Sequence, residues 1–131
     1  FEGQAAMALE YAATASGAAG TYPWAYREGE ALEADPGPLL EALLADRARG
    51  VDPGACARRF HQALADLAVA MARRGGCRQV VLSGGCFQNA LLTARVRASL
   101  EAAGFEPISP VAFPPNDGAI SLGQAALAAL A

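Results

Sequence analysis

Lysine is absent from this 131-residue chain: all ten of its basic residues are arginine. A lysine nucleophile and the lysine of a phosphate-binding Walker loop are therefore excluded. Cysteine is scarce as well. Cys56, Cys77 and Cys86 are an odd number without C-x-x-C spacing, which indicates neither a disulfide framework nor a self-contained zinc site and leaves reduced thiols as the expectation. The single histidine, His61, cannot make a metal site alone. No apolar run reaches the roughly 18 residues needed to span a bilayer. Phe1-Glu2-Gly3 lacks the basic start of a signal peptide, so the chain reads as soluble and cytoplasmic. A basic footprint for nucleic acid is missing too, since ten basic residues against 13 acidic ones leave a net charge of −3 and the arginines are scattered. Aromatic residues are only 7%, and much of the 53% hydrophobic content is alanine, which suits helix-rich packing in one domain. The chain opens without methionine, directly into a helical pattern, and reads as a segment of a longer protein.

What is present centres on Gln79-Val80-Val81-Leu82-Ser83-Gly84-Gly85-Cys86-Phe87-Gln88-Asn89. Val80, Val81 and Leu82 have the pattern of a strand buried on both faces, and Ser83-Gly84-Gly85 breaks it before a helical pattern from about Phe87 to Ala103. Two residues without a Cβ permit positive φ and close approach of a ligand, while the next helix brings unpaired N–H groups to the same place. Such a junction suits an anion or a nucleotide. Phe105-Glu106-Pro107-Ile108-Ser109 then supplies a second extended segment, and the strand-helix-strand order favours a parallel sheet.

Upstream, Glu2 to about Ala19 reads as an alanine-rich helix whose small residues permit close packing. Tyr22, Trp24 and Tyr26 alternate as in one or two short strands, followed by a turn at Arg27-Glu28-Gly29-Glu30. Trp24 either packs on its own core or caps a ligand pocket. Leu39, Leu40, Leu43 and Leu44 make one helical stripe. Cys56, Phe60, Leu64, Leu67 and Met71 make another, longer one, with Arg58, Arg59, Gln62 and Asp66 off it. His61 fits a packed structural role better than a functional one.

Near the end of the chain stands Phe113-Pro114-Pro115-Asn116-Asp117-Gly118, followed by Leu122-Gly123-Gln124. The prolines hold the entry extended, and Asn116 or Asp117 can cap the next helix. Alternatively Asp117 presents a hard oxygen ligand to a cation at nucleotide phosphates, suited to Mg²⁺ and acceptable to Zn²⁺ or Fe²⁺. Spacing alone favours the cap.

Taken together, Glu2-Gly3-Gln4-Ala5-Ala6, Phe60-His61, S-G-G-C-F-Q-N at Ser83 to Asn89 and P-P-N-D-G at Pro114 to Gly118 lie in the order and spacing of one family. The chain resembles the carboxy-terminal part of the hydrogenase-maturation carbamoyltransferases, the HypF family. The resemblance implies that residues 1–131 are a single lobe of an α/β fold. That fold is the helix-rich actin/sugar-kinase/Hsp70-type (ribonuclease H-like) ATPase fold, with a short mixed or parallel sheet. It implies ATP and carbamoyl phosphate as substrates, a carbamoyl-adenylate intermediate, and transfer to the carboxy-terminal cysteine of HypE for the cyanide ligands of [NiFe]-hydrogenase. Ser83, Gly84, Gly85 and Asn89 match nucleotide-binding positions, and Glu2 and Gly3 match the ribose side. Asp117 matches a metal-ligand aspartate, so the resemblance favours the metal role over the cap. The family's histidine pair and first lobe are not in this sequence, and the fragment alone is expected to be inactive.

Two departures stand out: Ala119 replaces a second glycine, and Cys86 replaces a small apolar residue. A helix amino terminus lowers a thiol pKa, which suggests Cys86 as a nucleophile. The family position instead implies a small buried side chain there. Three other functions compete with the main reading: a non-catalytic HypE-docking module, a tRNA-modifying lobe and a small-molecule O-carbamoyltransferase lobe. The acidic balance disfavours independent tRNA binding. A pure docking module would not need the Gly84-Gly85 and Asp117 set.

Overall fold

A 23-residue helix, α3 (Pro53–Gly75), forms the axis of the chain in a computed structural model that describes residues 1–130 apart from the side chain of Leu32. Asp52 starts α3 by accepting from the Ala55 N–H at 3.0 Å, Pro53 fits the first turn, and Gly76 closes it in the left-handed region. Around it pack α1 (Gln4–Thr14), α2 (Gly37–Ala48) and α4 (Ala90–Ala102). Because helices meet α3 on several sides, it buries Cys56, Ala57, His61, Ala63 and Ala65. The expected stripe of Phe60, Leu64, Leu67 and Met71 is only half-buried.

Small residues do permit the close approach expected of α1. A Cβ on Gly54 would lie 2.8 Å from the Ala12 carbonyl oxygen, so α1 and α3 touch backbone to backbone. The helix ends at Thr14, not near Ala19. Beyond it, the Ser16 hydroxyl accepts from the Ala18 N–H at 3.2 Å, a local pairing that competes with the helical one. On α2 the leucine stripe is split: Leu39 is buried while Leu40 and Leu44 are exposed, and the buried position two turns further on is Asp46.

Among the described residues the strands form two separate pairs and no mixed sheet. Strands β1 (Ala25–Glu28) and β2 (Leu32–Asp35) are an antiparallel hairpin with Ala25 opposite Asp35, which places Arg27 and Glu28 in a strand and moves the expected turn to residues 29–31. Just before the hairpin, Tyr22 and Trp24 join Leu39 and Ala63 in one core cluster, and the Trp24 indole N–H donates to the Ala63 carbonyl at 2.8 Å. Trp24 thus serves its own core.

Strands β3 (Gln79–Val81) and β4 (Glu106–Ile108) pair in parallel, with Gln79 opposite Glu106 and Val81 opposite Ile108. Leu82 packs with Ala65, Leu92, Val96 and Leu100 in the second core cluster. On the opposite face Val81 is 67% and Ile108 43% exposed, so the organising strand is covered on one side only. The expectation of burial on both faces is corrected: this chain supplies one helical layer, and among the described residues nothing covers the other side. The last helix, α5 (Ile120–Leu130), likewise leaves Ile120, Leu122, Leu127 and Leu130 exposed. Among the described residues, no helix is long and apolar enough to cross a membrane.

Candidate functional site

The turn after β3 is locked to the proline-rich segment near the end of the chain. The Gly84 N–H donates to the Pro115 carbonyl at 2.6 Å, and the Ser83 hydroxyl donates to the same oxygen at 3.5 Å. Gly84 holds φ 110° and ψ 157°, a region that side chains with a Cβ scarcely enter. Gly85 is different, having no positive φ and open space where a Cβ would stand. Of the two glycines, only Gly84 is required by the backbone itself.

Residues Gly85–Gln88 then make one 3-10 turn, and α4 starts after Asn89. The expected helix from Phe87 is therefore shorter and better capped than its periodicity suggests. Asn89 Oδ1 accepts from the Leu92 N–H at 2.7 Å, and Glu10 of α1 accepts from the Leu91 N–H at 3.2 Å. The expectation that this helix offers unpaired N–H groups is corrected, because two of them are satisfied within the chain. Among the described residues, the N–H groups of Gly85 and Cys86 meet no protein acceptor.

A cleft of about 560 Å³ opens between the start of α1, the middle of α3 and the 3-10 turn. Four of the residues singled out from the sequence meet there: Glu2, Gly3, Gly85 and Asn89. Phe60 and His61 also line it. Ser83 and Gly84 stand outside it, on the contact with Pro115. His61 is buried, as a packed histidine should be, with Nδ1 2.8 Å from the Ala57 carbonyl and Nε2 3.0 Å from Asn89 Nδ2.

Asp117 also lies outside the cleft, exposed in a 3-10 turn Asp117–Ala119. The cap is Asn116, whose Oδ1 accepts from the Gly118 N–H at 3.0 Å. Asp117 is thereby left free of the capping duty that spacing alone assigned to it. Among the described residues, no cluster of three His, Cys, Asp or Glu side chains is placed to hold a metal ion. Cys86 is exposed and lines the cleft, which corrects the expectation of a buried side chain.

Several structural partners carried no signal in the sequence. Glu10 caps a helix 81 positions away, and the Pro115 carbonyl is an acceptor that no side-chain pattern marks. Asp46 is buried and takes the Tyr22 hydroxyl at 2.9 Å, Arg59 at 2.6 Å and Arg49. The Tyr22 hydrogen bond, with those from Arg49 and Arg59, holds the Asp46 carboxyl below its ordinary value. Burial, first of all, pushes the Tyr22 phenol upward.

Residues 1–124 match the family described as "Carbamoyltransferase, Kae1-like Domain, second subdomain". The fold and these motifs thus define the chain as a helix-rich α/β lobe of the carbamoyltransferase class, of the actin/sugar-kinase-like fold. It belongs to the HypF family. The chain is 40% identical over 126 residues to the carbamoyltransferase HypF of Synechocystis, covering 95% of this chain and 16% of that protein. It is 38% identical to HypF of Rhodobacter capsulatus, covering 98% of this chain and 16% of that protein. Among solved structures, full-length HypF in a phosphate- and nucleotide-bound form superposes with a TM-score of 0.89 at 35% identity, covering 98% of this chain and 17% of that one. The HypF of T. kodakarensis superposes with a TM-score of 0.76 at 31% identity, covering 99% of this chain and 17% of that one. The chain therefore spans about one-sixth of the length of its relatives.

Proposed function

We propose that this chain is the nucleotide-holding second lobe of a carbamoyltransferase, acting with a first lobe and an adenylate-forming part that lie outside it. In this reading carbamoyl phosphate is hydrolysed to carbamate and phosphate, and ATP adenylates the carbamate with release of pyrophosphate. The thiolate of the carboxy-terminal cysteine of HypE then attacks the carbamoyl carbon, and AMP leaves. The setting is the cytoplasmic maturation of [NiFe]-hydrogenase.

One observation carries the reading: the Gly84 N–H to Pro115 carbonyl bond, which ties the S-G-G turn to the P-P-N-D-G segment across 31 positions. It fixes the turn so that Gly85 borders the cleft, where the Gly85 and Cys86 N–H groups are donors left for an anionic ligand. The lack of a Cβ at Gly85 has no cause among the described residues and suits a ligand lying against the main chain. Glu2 and Gly3, on the opposite rim, are the ribose side of the same pocket. Asn89 acts from behind, holding the start of α4 through Leu92 and orienting His61.

A divalent metal, Zn, Fe or Mg, fits this chain only in part. Asp117 offers one exposed carboxylate of suitable hardness, and the remaining ligands come from outside the chain. When bound, such a metal neutralises charge on the leaving phosphate. The test is carbamoyl transfer to HypE by the full-length protein. Asp117→Ala is expected to abolish transfer while leaving the melting temperature unchanged, and unchanged transfer would refute the metal role.

A further inference from the structure

A second cleft, of about 540 Å³, shares no lining residue with the first. Its walls are the loop from Gly17 to Thr21, Arg58 and Gln62 of α3, and Arg95 of α4. Both arginines are half-buried, Arg58 although it lies off the apolar stripe of α3. Arg58 donates to the Ala13 carbonyl at 3.4 Å, and Arg95 donates to the Gln62 side-chain oxygen. The Arg95 Nε is buried and meets no acceptor among the described residues. The one carboxylate in the cleft, Asp66, is already engaged by the Thr21 hydroxyl at 2.7 Å and by Gln62 at 3.0 Å.

This arrangement is unfavourable as it stands. Two guanidinium groups share a partly dehydrated cleft, and neither is in an ion pair among the described residues. Burial first, and then the neighbouring Arg58 charge, pull the Arg95 guanidinium below the ordinary arginine range, against a smaller opposing pull from the Asp66 carboxylate. The adjacent Arg59 shows the contrast, since its charge is answered by buried Asp46. A half-buried cation with one buried orphan donor calls for an anion, and planar guanidinium groups hold oxyanions through short charge-assisted hydrogen bonds.

We propose that Arg58 and Arg95 form an oxyanion site, for a phosphate or carboxylate group, separate from the nucleotide cleft. The oxyanion comes either from a free phosphorylated molecule or from an Asp or Glu side chain of the longer protein.

The experiment uses the full-length protein, titrated calorimetrically with inorganic phosphate and melted with and without it, as wild type, Arg95→Met and Arg58→Gln. A free oxyanion predicts phosphate affinity at this site about tenfold or more weaker in both variants. A carboxylate from the same polypeptide predicts unchanged phosphate binding and a lower melting temperature for Arg95→Met, because that change leaves the carboxylate without its partner. Unchanged phosphate binding in both variants, together with an Arg95→Met protein as stable as wild type or more so, overturns the site.

Discussion

Asn89 donates from Nδ2 to His61 Nε2 at 3.0 Å, and this contact fixes the state of both side chains. The amide cannot be turned the other way, because Oδ1 is needed to accept from the Leu92 N–H. His61 must therefore present a bare Nε2 and carry its proton on Nδ1, where the Ala57 carbonyl accepts it at 2.8 Å. A cap at the cleft and a neutral buried histidine are thus one unit, linking α3 to α4.

Asn89→Ala removes the cap and strands the buried His61 Nε2, a loss of about 1–3 kcal/mol. Denaturant unfolding measures it. In a double-mutant cycle with His61→Ala the two losses are expected to fall short of additivity by at least about 0.5 kcal/mol.

The two glycines of the turn should respond oppositely. Gly84→Ala forces a Cβ into φ 110° and should destabilise by about 1–3 kcal/mol in equilibrium unfolding. Gly85→Ala meets open space and should change stability by less than about 0.5 kcal/mol. Equal losses from both would contradict the division of labour between them.

Asp46 sets an acid limit. Its folded carboxyl is held below the ordinary 3.8, chiefly by the Tyr22 hydroxyl and then by Arg49 and Arg59. The stabilisation is therefore complete above that ordinary value and is lost as pH falls from it through the lowered folded value. Unfolding midpoints measured from neutral pH down to about pH 3 should fall in wild type, and Asp46→Asn should be less stable at neutral pH and flatter over that range.

Much of this is legible in the amino-acid sequence. The parallel pairing of β3 with β4 follows from two short apolar segments around one helical pattern, and the glycine turn between them reads directly from Ser83-Gly84-Gly85. The motif order led to the HypF family, which the comparisons bear out. What could not be read was which N–H groups stay unpaired, since that depends on Glu10 reaching the Leu91 N–H from another helix. The exposure of Val81 escaped for a similar reason. A run of apolar residues reports a face meant to be covered and does not say whether the cover lies in the same chain. Helical periodicity puts Arg58 off the apolar stripe and says nothing about a loop such as 17–21 folding over it.

The central claim is that the turn at Gly84-Gly85 holds a nucleotide, and calorimetric titration of ATP into the full-length protein tests it most directly. Wild type should bind, and Gly85→Val, which places a branched side chain on the rim of the cleft, should bind about tenfold or more weakly with an unchanged melting temperature. Equal ATP affinity in the two proteins would contradict the account.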